Sequence, residues 1–490
     1  MESRHRFLTT IFKNIGFGTI AIVISKLSQL VLFVLIARWL GAEGVGQYTY
    51  ALSVVLLIGV LSDLGISQYV VSQVAATGQG SDWYLSHTFT LRLGLSVAGL
   101  GLVFILGFFL PFSESSRTLL YLLGVGQFLV NVTLGWRWLF QAQQKLQYEA
   151  LLIFVSGLVY SLGGLALLSW QKQIVWIGVS YLLSGLAFFG VCYWVIRTRF
   201  STGSLRIDLS AWKQILSGAF PLTLYVLFIC TYYNADTILL AQLKGESANG
   251  IYNASNRIIL QFRQIPALLA PAFLPVLAQL SFFQPERLAA LLRKGLFYLF
   301  TLFLPLVILV SFSAPPLISL LYGHGFTASS GVLQVQIWAA LFEILNGFVF
   351  ISLMAQKRYK TLALLTGSGA ALNVILNLFL IPSFSFNGSA LAILISESVV
   401  FGGVVLALSR KEGFGLPSLF RLLAAPAGAG LVMVIFRLLL SEWNWIVLSI
   451  VSFMVYFSVL LLARGIPLED WQVWKTLLLR KKEQVVGGLG

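Results

Sequence analysis

The sequence predicts an all-α polytopic membrane protein, and three observations carry that prediction. Hydrophobic residues make up 58% of the 490 and charged residues only 10%, with a mean hydropathy of +0.90, which lies outside the range of soluble globular chains. About fourteen apolar runs are each long enough to cross a hydrocarbon core of about 30 Å at about 1.5 Å of helix rise per residue. A glycine-rich turn also occurs twice at a fixed interval, which organises the runs into two halves.

The first run, 15–37, is too long for a signal-peptide core and follows a basic segment, so it is expected to be a retained span. Lys26 lies at its middle. A lysine there costs about 2.5 to 3.5 kcal/mol on insertion scales, so it should face a partner or a wet cavity rather than lipid. Ile22, Lys26 and Gln29 share one stripe, with Ser25 and Ser28 beside it.

Next comes the turn ARWLGAEGVGQY. Its Ala37, Gly41, Gly46 and Tyr48 recur as Ala241, Gly245, Gly250 and Tyr252, and each pair is separated by the same interval. The remaining spans are expected at 50–71, 90–110, 119–140, 148–170 and 174–196. A second series follows at 216–239, 250–280, 296–320, 332–354, 361–381 and 388–409, and a final pair at 419–440 and 445–463. About six helices separate the copies of the turn, an even number, so both face the same side of the membrane. That is a parallel pseudo-repeat. The expected organisation is an N-terminal lobe at 1–200 and a C-terminal lobe at 201–410, each of six helices, then helices 13 and 14 at 411–465. The tail at 466–490 places Trp471, Trp474, Leu477 and Leu478 on one face and ends in a basic cluster, the pattern of an interfacial helix on the cytoplasmic leaflet.

Loop charge orients these spans. With the amino terminus in the cytoplasm, the outer loops hold Arg38, Arg117, Lys172, Lys244 and Arg437, and the membrane holds Lys26, Arg257 and Arg263. Every other lysine and arginine falls on the inner side, as the positive-inside rule requires. The net charge of +15 therefore reflects membrane topology rather than a nucleic-acid partner. Both termini are expected in the cytoplasm.

Seven ionisable residues lie in or near the spans: Lys26, Arg257 and Arg263, with Asp63, Asp236, Glu343 and Glu397. Each is a functional candidate, with structural ion pairs as the competing explanation. Depth along the first two helices suggests a Lys26–Asp63 pair. In the eighth span, Asn253, Arg257, Gln261 and Gln264 form a polar stripe, while Pro266, Pro271 and Pro275 must kink or break the helix further along. A guanidinium suits phosphate because its planar fork donates two hydrogen bonds at once. The buried carboxylates are candidates to bind a coupling proton or sodium ion, and Asn346, Asn373 and Asn377 are candidates for helix-to-helix hydrogen bonds. Cys192 and Cys230 sit in apolar runs, so neither a disulfide nor a metal cluster is expected. No phosphate-binding glycine loop, metal-ligand cluster or nucleophile elbow occurs, and no catalytic residue or cofactor is expected.

Five stretches carry a family resemblance: RWLGAEGVGQY; SDLGI at Ser62; YNADTILL through GIYNASNRI, ending at Ile258; LYGHGF at Leu321; and FNGSALAILISE from Phe386 to Glu397. Together they resemble the polysaccharide repeat-unit flippases, of O-antigen type, in the multidrug/oligosaccharidyl-lipid/polysaccharide exporter superfamily. The resemblance implies two lobes around a central cationic cavity and alternating access in a bacterial plasma membrane. The implied substrate is a polyprenyl-diphosphate-linked oligosaccharide, moved from the inner to the outer leaflet for cell-surface polysaccharide biosynthesis. Lys26, Arg257 and Arg263 match the cationic lining, and Gln29, Asn253, Gln261 and Gln264 a polar one. Membrane lipids and polysaccharide polymerase machinery are the other partners to consider. The lipid II flippase and multidrug branches of the superfamily stand as alternatives. A membrane polymerase or ligase is the alternative from another class, and it would need a large outer loop that this chain lacks.

Overall fold

The computed structural model describes residues 2–77, 81–143, 145–200, 206–412, 416–463 and 465. Within them the chain is helical almost throughout. The helices are α1 (Glu2–Asp63), α2 (Ile66–Thr77), α3 (Ser81–Phe109), α4 (Glu114–Ala142), α5 (Leu146–Trp170), α6 (Val175–Arg199) and α7 (Leu209–Arg263). Then come α8 (Ile265–Phe283), α9 (Pro285–Tyr322), a 3₁₀ turn at His324–Phe326, α10 (Ser329–Ala355), α11 (Tyr359–Glu412), α12 (Leu416–Leu439) and α13 (Trp445–Leu462). Eleven of the described helices are long and apolar enough to cross a membrane. The tail at 466–490 lies outside the described residues.

Three of the long helices are broken by a single residue. Gly41 in α1 has φ 67° and ψ −168°, and Gly245 in α7 has φ 86° and ψ 173°. These are the same position of the repeated turn, so the two copies share a backbone conformation as well as a sequence. A positive φ is open to glycine at little cost, which explains why the position is glycine both times. The third break, in α11, is at Ser385 with φ 51°. There a Cβ on Gly388 would lie 2.4 Å from the Leu380 carbonyl oxygen, so the two sides of the break touch through backbone.

Two expected spans are corrected. The run 50–71 is not one helix: α1 stops at Asp63, Leu64 and Gly65 adopt φ 47° and 69°, and α2 restarts at Ile66. The cause is a close approach of α7. A Cβ on Gly65 would lie 2.8 Å from Leu222 Cβ, and the Thr223 hydroxyl donates to the Leu64 carbonyl at 2.6 Å. In the run 250–280 the break falls at Gln264, ahead of all three prolines. Pro266 stands in the first turn of α8, where a missing N–H costs no helical bond, and the helix carries Pro271 and Pro275 in its interior.

The chain divides into two compact units. The first comprises Met1–Ile258, Ile318–Val332 and Leu362–Ser396. One of its apolar clusters includes Ile66, Val70, Trp136, Trp138 and Phe140, and Cys192 is buried within it as a small hydrophobe. The second comprises Ile259–Leu317, Leu333–Thr361 and Glu397–Gly490. There Gly347 lets Pro266 approach, since a Cβ would lie 2.4 Å from Pro266 Cγ, and the Tyr456 hydroxyl donates to the Thr301 carbonyl at 3.0 Å. Arg437, expected in an outer loop, is instead buried near the end of α12. Its guanidinium donates to Ser313, Ser449 and Ser452 at 3.1–3.2 Å, which ties α12 to α9 and α13.

Candidate functional site

In the first unit, Arg257 packs against the helix that carries Lys26. Ser25 and Ser28 face α5: the Ser25 hydroxyl donates to the Ile153 carbonyl at 3.2 Å, and Ser161 donates to Ser28 at 3.1 Å. Gly157 makes this packing possible, since a Cβ there would lie 1.8 Å from Ser25 Oγ. With that face of α1 committed to its neighbour, Lys26 is left exposed. Arg257 reaches the same helix from the part of α7 beyond Gly245. Its Nη2 donates to the Gln29 carbonyl at 3.5 Å, and its guanidinium carbon lies 5.0 Å from the centre of the Phe33 ring. Such a cation–π contact contributes about 0.5 to 2 kcal/mol, depending on how dry it is. Lys26 and Arg257 thus bring two cations to one stretch of α1, and an anion bound near both relieves their mutual repulsion.

The expected Lys26–Asp63 pair does not form. Asp63 pairs with Arg92, a fully buried residue of α3 that also donates to Ser67 Oγ at 2.7 Å, and the Asp63 carboxylate accepts from the Ser67 N–H at 3.2 Å. This ties the end of α1 and the start of α2 to α3. Sequence reading placed Arg92 in an inner loop. The signal it passed over is that an arginine inside an apolar run must find a carboxylate, and Asp63 has the matching inner depth.

Arg263 lies in the second unit, where its Nε donates to both Glu343 oxygens at 3.0 and 2.8 Å. Both side chains are buried. Glu397 is also buried there and accepts from Asn346 Nδ2 at 2.7 Å. Gln261 and Gln264 are exposed, and Gln264 bonds back to Leu260 of its own helix.

Asp236 belongs to the first unit and is 2% exposed. Its carboxylate accepts from the Tyr252 hydroxyl and from Asn377 Nδ2, each at 2.6 Å, and Asn377 in turn bonds Asn373, one helical turn earlier. Asn253, part of the expected polar stripe, is buried and bonded to Asn249 and Thr237. The repeated tyrosines behave alike in one respect, which sequence reading missed: both hydroxyls make buried bonds, Tyr252 to Asp236 and Tyr48 with Tyr160 at 2.9 Å. Among the described residues no three histidines, cysteines, aspartates or glutamates cluster as metal ligands.

The model of the polysaccharide biosynthesis protein family matches residues 11–281, more than half of the chain. The chain belongs to this family. Its second half, residues 207–464, also matches the lipid II flippase family. Capsular polysaccharide biosynthesis protein CapF of Staphylococcus aureus is 21% identical over 399 residues, which cover 79% of this chain and 96% of that protein. Among solved structures, the lipid II flippase MurJ in an inward closed conformation superposes with a TM-score of 0.73 at 18% identity, covering 90% of this chain and 97% of its own. An inward-facing multidrug resistance MATE transporter gives 0.60 at 14% identity, covering 80% and 95%. The fold is thus that of an exporter superfamily, and by family the chain is a transporter rather than an enzyme.

Proposed function

We propose that this protein is a flippase that carries a polyprenyl-diphosphate-linked oligosaccharide from the inner to the outer leaflet of a bacterial plasma membrane by alternating access. On this reading the eleven long apolar helices supply fourteen spans, because those broken at Gly41, Gly245 and Ser385 each cross twice. The spans form six-helix lobes at 1–200 and 201–410 with a final pair at 411–465, and both termini are cytoplasmic. The observation that carries the proposal is the contact of Arg257 with α1 at Gln29 and Phe33, within about a helical turn or two of Lys26, in membrane-length helices. A diphosphate crossing hydrocarbon needs fixed positive charge. Exchanging its water for a preorganised lysine and guanidinium lowers the barrier to crossing. The sugar then travels with the diphosphate while the polyprenyl chain stays in the bilayer. Gln29, beside Lys26 on α1, provides an amide group for hydroxyl-rich sugar.

For coupling we propose Asp236. It is a buried carboxylate surrounded by Tyr252, Asn377 and Asn373, a set of oxygen-bearing side chains suited to a proton or to a hard cation such as sodium. Glu397, beside Asn346, is the second candidate in the other unit.

Binding of a short-chain polyprenyl diphosphate to the purified protein tests the cationic site. Loss of charge-assisted bonds worth about 1.5 to 3 kcal/mol should weaken affinity about tenfold to a hundredfold in Lys26→Ala and in Arg257→Ala. Arg257→Lys should fall between, and thermal unfolding of all three should match wild type. Unchanged affinity in both alanine variants would remove these residues from the site. A second reading, transport of lipid II, is favoured by the match of residues 207–464 and by the shared fold. Competition between lipid II and a lipid-linked repeat unit in the same binding measurement separates the two.

A further inference from the structure

The two glycine turns pack against each other, and the contact is reciprocal. A Cβ on Gly46 would lie 1.6 Å from the Glu246 carbonyl oxygen, and a Cβ on Gly250 would lie 1.7 Å from the Ala42 carbonyl oxygen. Gly46 and Gly250 occupy the same position of the repeat, and so do Ala42 and Glu246. The contact therefore maps onto itself when the two copies are exchanged, as a two-fold interface does. Both helix segments meet backbone to backbone, and even a methyl group at either glycine would force them apart.

Three polar contacts surround this seam, and the repeat does not duplicate them. Asn249 Nδ2 donates to the Gly46 carbonyl at 3.0 Å and to Thr49 Oγ1 at 3.1 Å. The Ser116 and Ser113 hydroxyls donate to the Glu246 carboxylate. Arg38 donates from Nε and Nη2 to the carbonyls of Leu321 and Leu320, at 2.8 and 2.5 Å, at the end of α9. The repeat partners of Asn249 and Glu246 are Val45 and Ala42, so the latching groups belong to the second copy alone.

We propose that this seam is the outer gate of the transport cycle, closed in this structure, and that Asn249 and Glu246 latch it. The proposal rests on the alternating-access reading above. Close backbone packing at the two glycines leaves no room for side chains between them, so the seam can part there once the surrounding polar bonds are released. Arg257 follows Gly250 by seven residues, two helical turns or about 10 Å, so separation at the glycines would carry directly to the candidate cationic site.

The test uses full-length protein with Cys192 and Cys230 replaced by serine. In Thr49→Cys, Asn249→Cys, a short bifunctional thiosulfonate bridge should lower translocation of a polyprenyl-diphosphate oligosaccharide at least about tenfold, and reduction should restore it. Full transport with the bridge in place would overturn the proposal. Thiol accessibility reads the gate without any transport. The Thr49→Cys thiol should react with an impermeant maleimide about tenfold faster once Asn249→Ala or Gly46→Ala is added. Equal rates in both variants would overturn the proposal. If wild type moved no lipid-linked sugar, the substrate reading would fail, while the thiol rates would still decide whether the seam opens.

Discussion

Two arginines in the apolar helices hold those helices together through carboxylate partners. Arg92 is fully buried with Asp63 as its carboxylate partner, and Arg263 is buried against Glu343. Breaking a buried pair by removing one member costs about 3 to 5 kcal/mol, because the other charge stays behind, whereas removing both can be nearly neutral. Arg92→Leu is therefore expected to lower unfolding stability in detergent by about that amount, and Arg92→Leu with Asp63→Leu to regain most of it. A double variant as unstable as the single one would show that Arg92 is held by something other than Asp63. Seven ionisable positions in or near the spans were legible in the sequence, since charge in an apolar run is conspicuous. Arg92 and Arg437, at the ends of their runs, read as loop residues but are buried. The partners were not legible. Arg263 and Glu343 stand 80 residues apart, and only packing between distant helices brings them together. Lys26 and Asp63 matched in estimated depth, but depth fixes a level in the membrane and not a face of a helix, and α1 turns toward α5 at Ser25.

Among the elements, the breaks rather than the helices determine the arrangement. The repeated turn was readable because its constraint is local: Gly41 and Gly245 need a positive φ, and glycine marks that need in the sequence. Gly65 carries the same mark with a different cause, the approach of Leu222 and Thr223, so a run that reads as one span is in fact two helices. Gly65→Ala would combine backbone strain with a clash against α7. It should cost about 1 to 3 kcal/mol, read as a lowered thermal unfolding midpoint. A midpoint unchanged from wild type would mean that α7 does not rest on this turn. The eighth span does break, as its prolines predict, but at one place only. Three prolines offered three breaks, and the chain uses the position just before them, where Pro266 sits in the first turn of α8 without giving up a helical bond.

For the whole molecule, composition and loop charge were enough to predict an all-helical membrane protein, and the five quoted stretches to suggest its superfamily. Family membership and the shared fold bear out both. Composition cannot supply the substrate, which depends on how side chains from separate helices converge. We propose that Lys26 and Arg257 serve passage of a diphosphate across the bilayer. The most direct measurement is translocation in proteoliposomes, with a labelled polyprenyl-diphosphate oligosaccharide in the inner leaflet and an impermeant sugar oxidant outside. Wild type should expose the sugar faster under an imposed proton or sodium gradient. Asp236→Asn should lose the response to the gradient, and Arg257→Ala, equally folded, should slow exposure at least about tenfold. No exposure by wild type under either gradient, or exposure by Arg257→Ala at the wild-type rate, would contradict the claim.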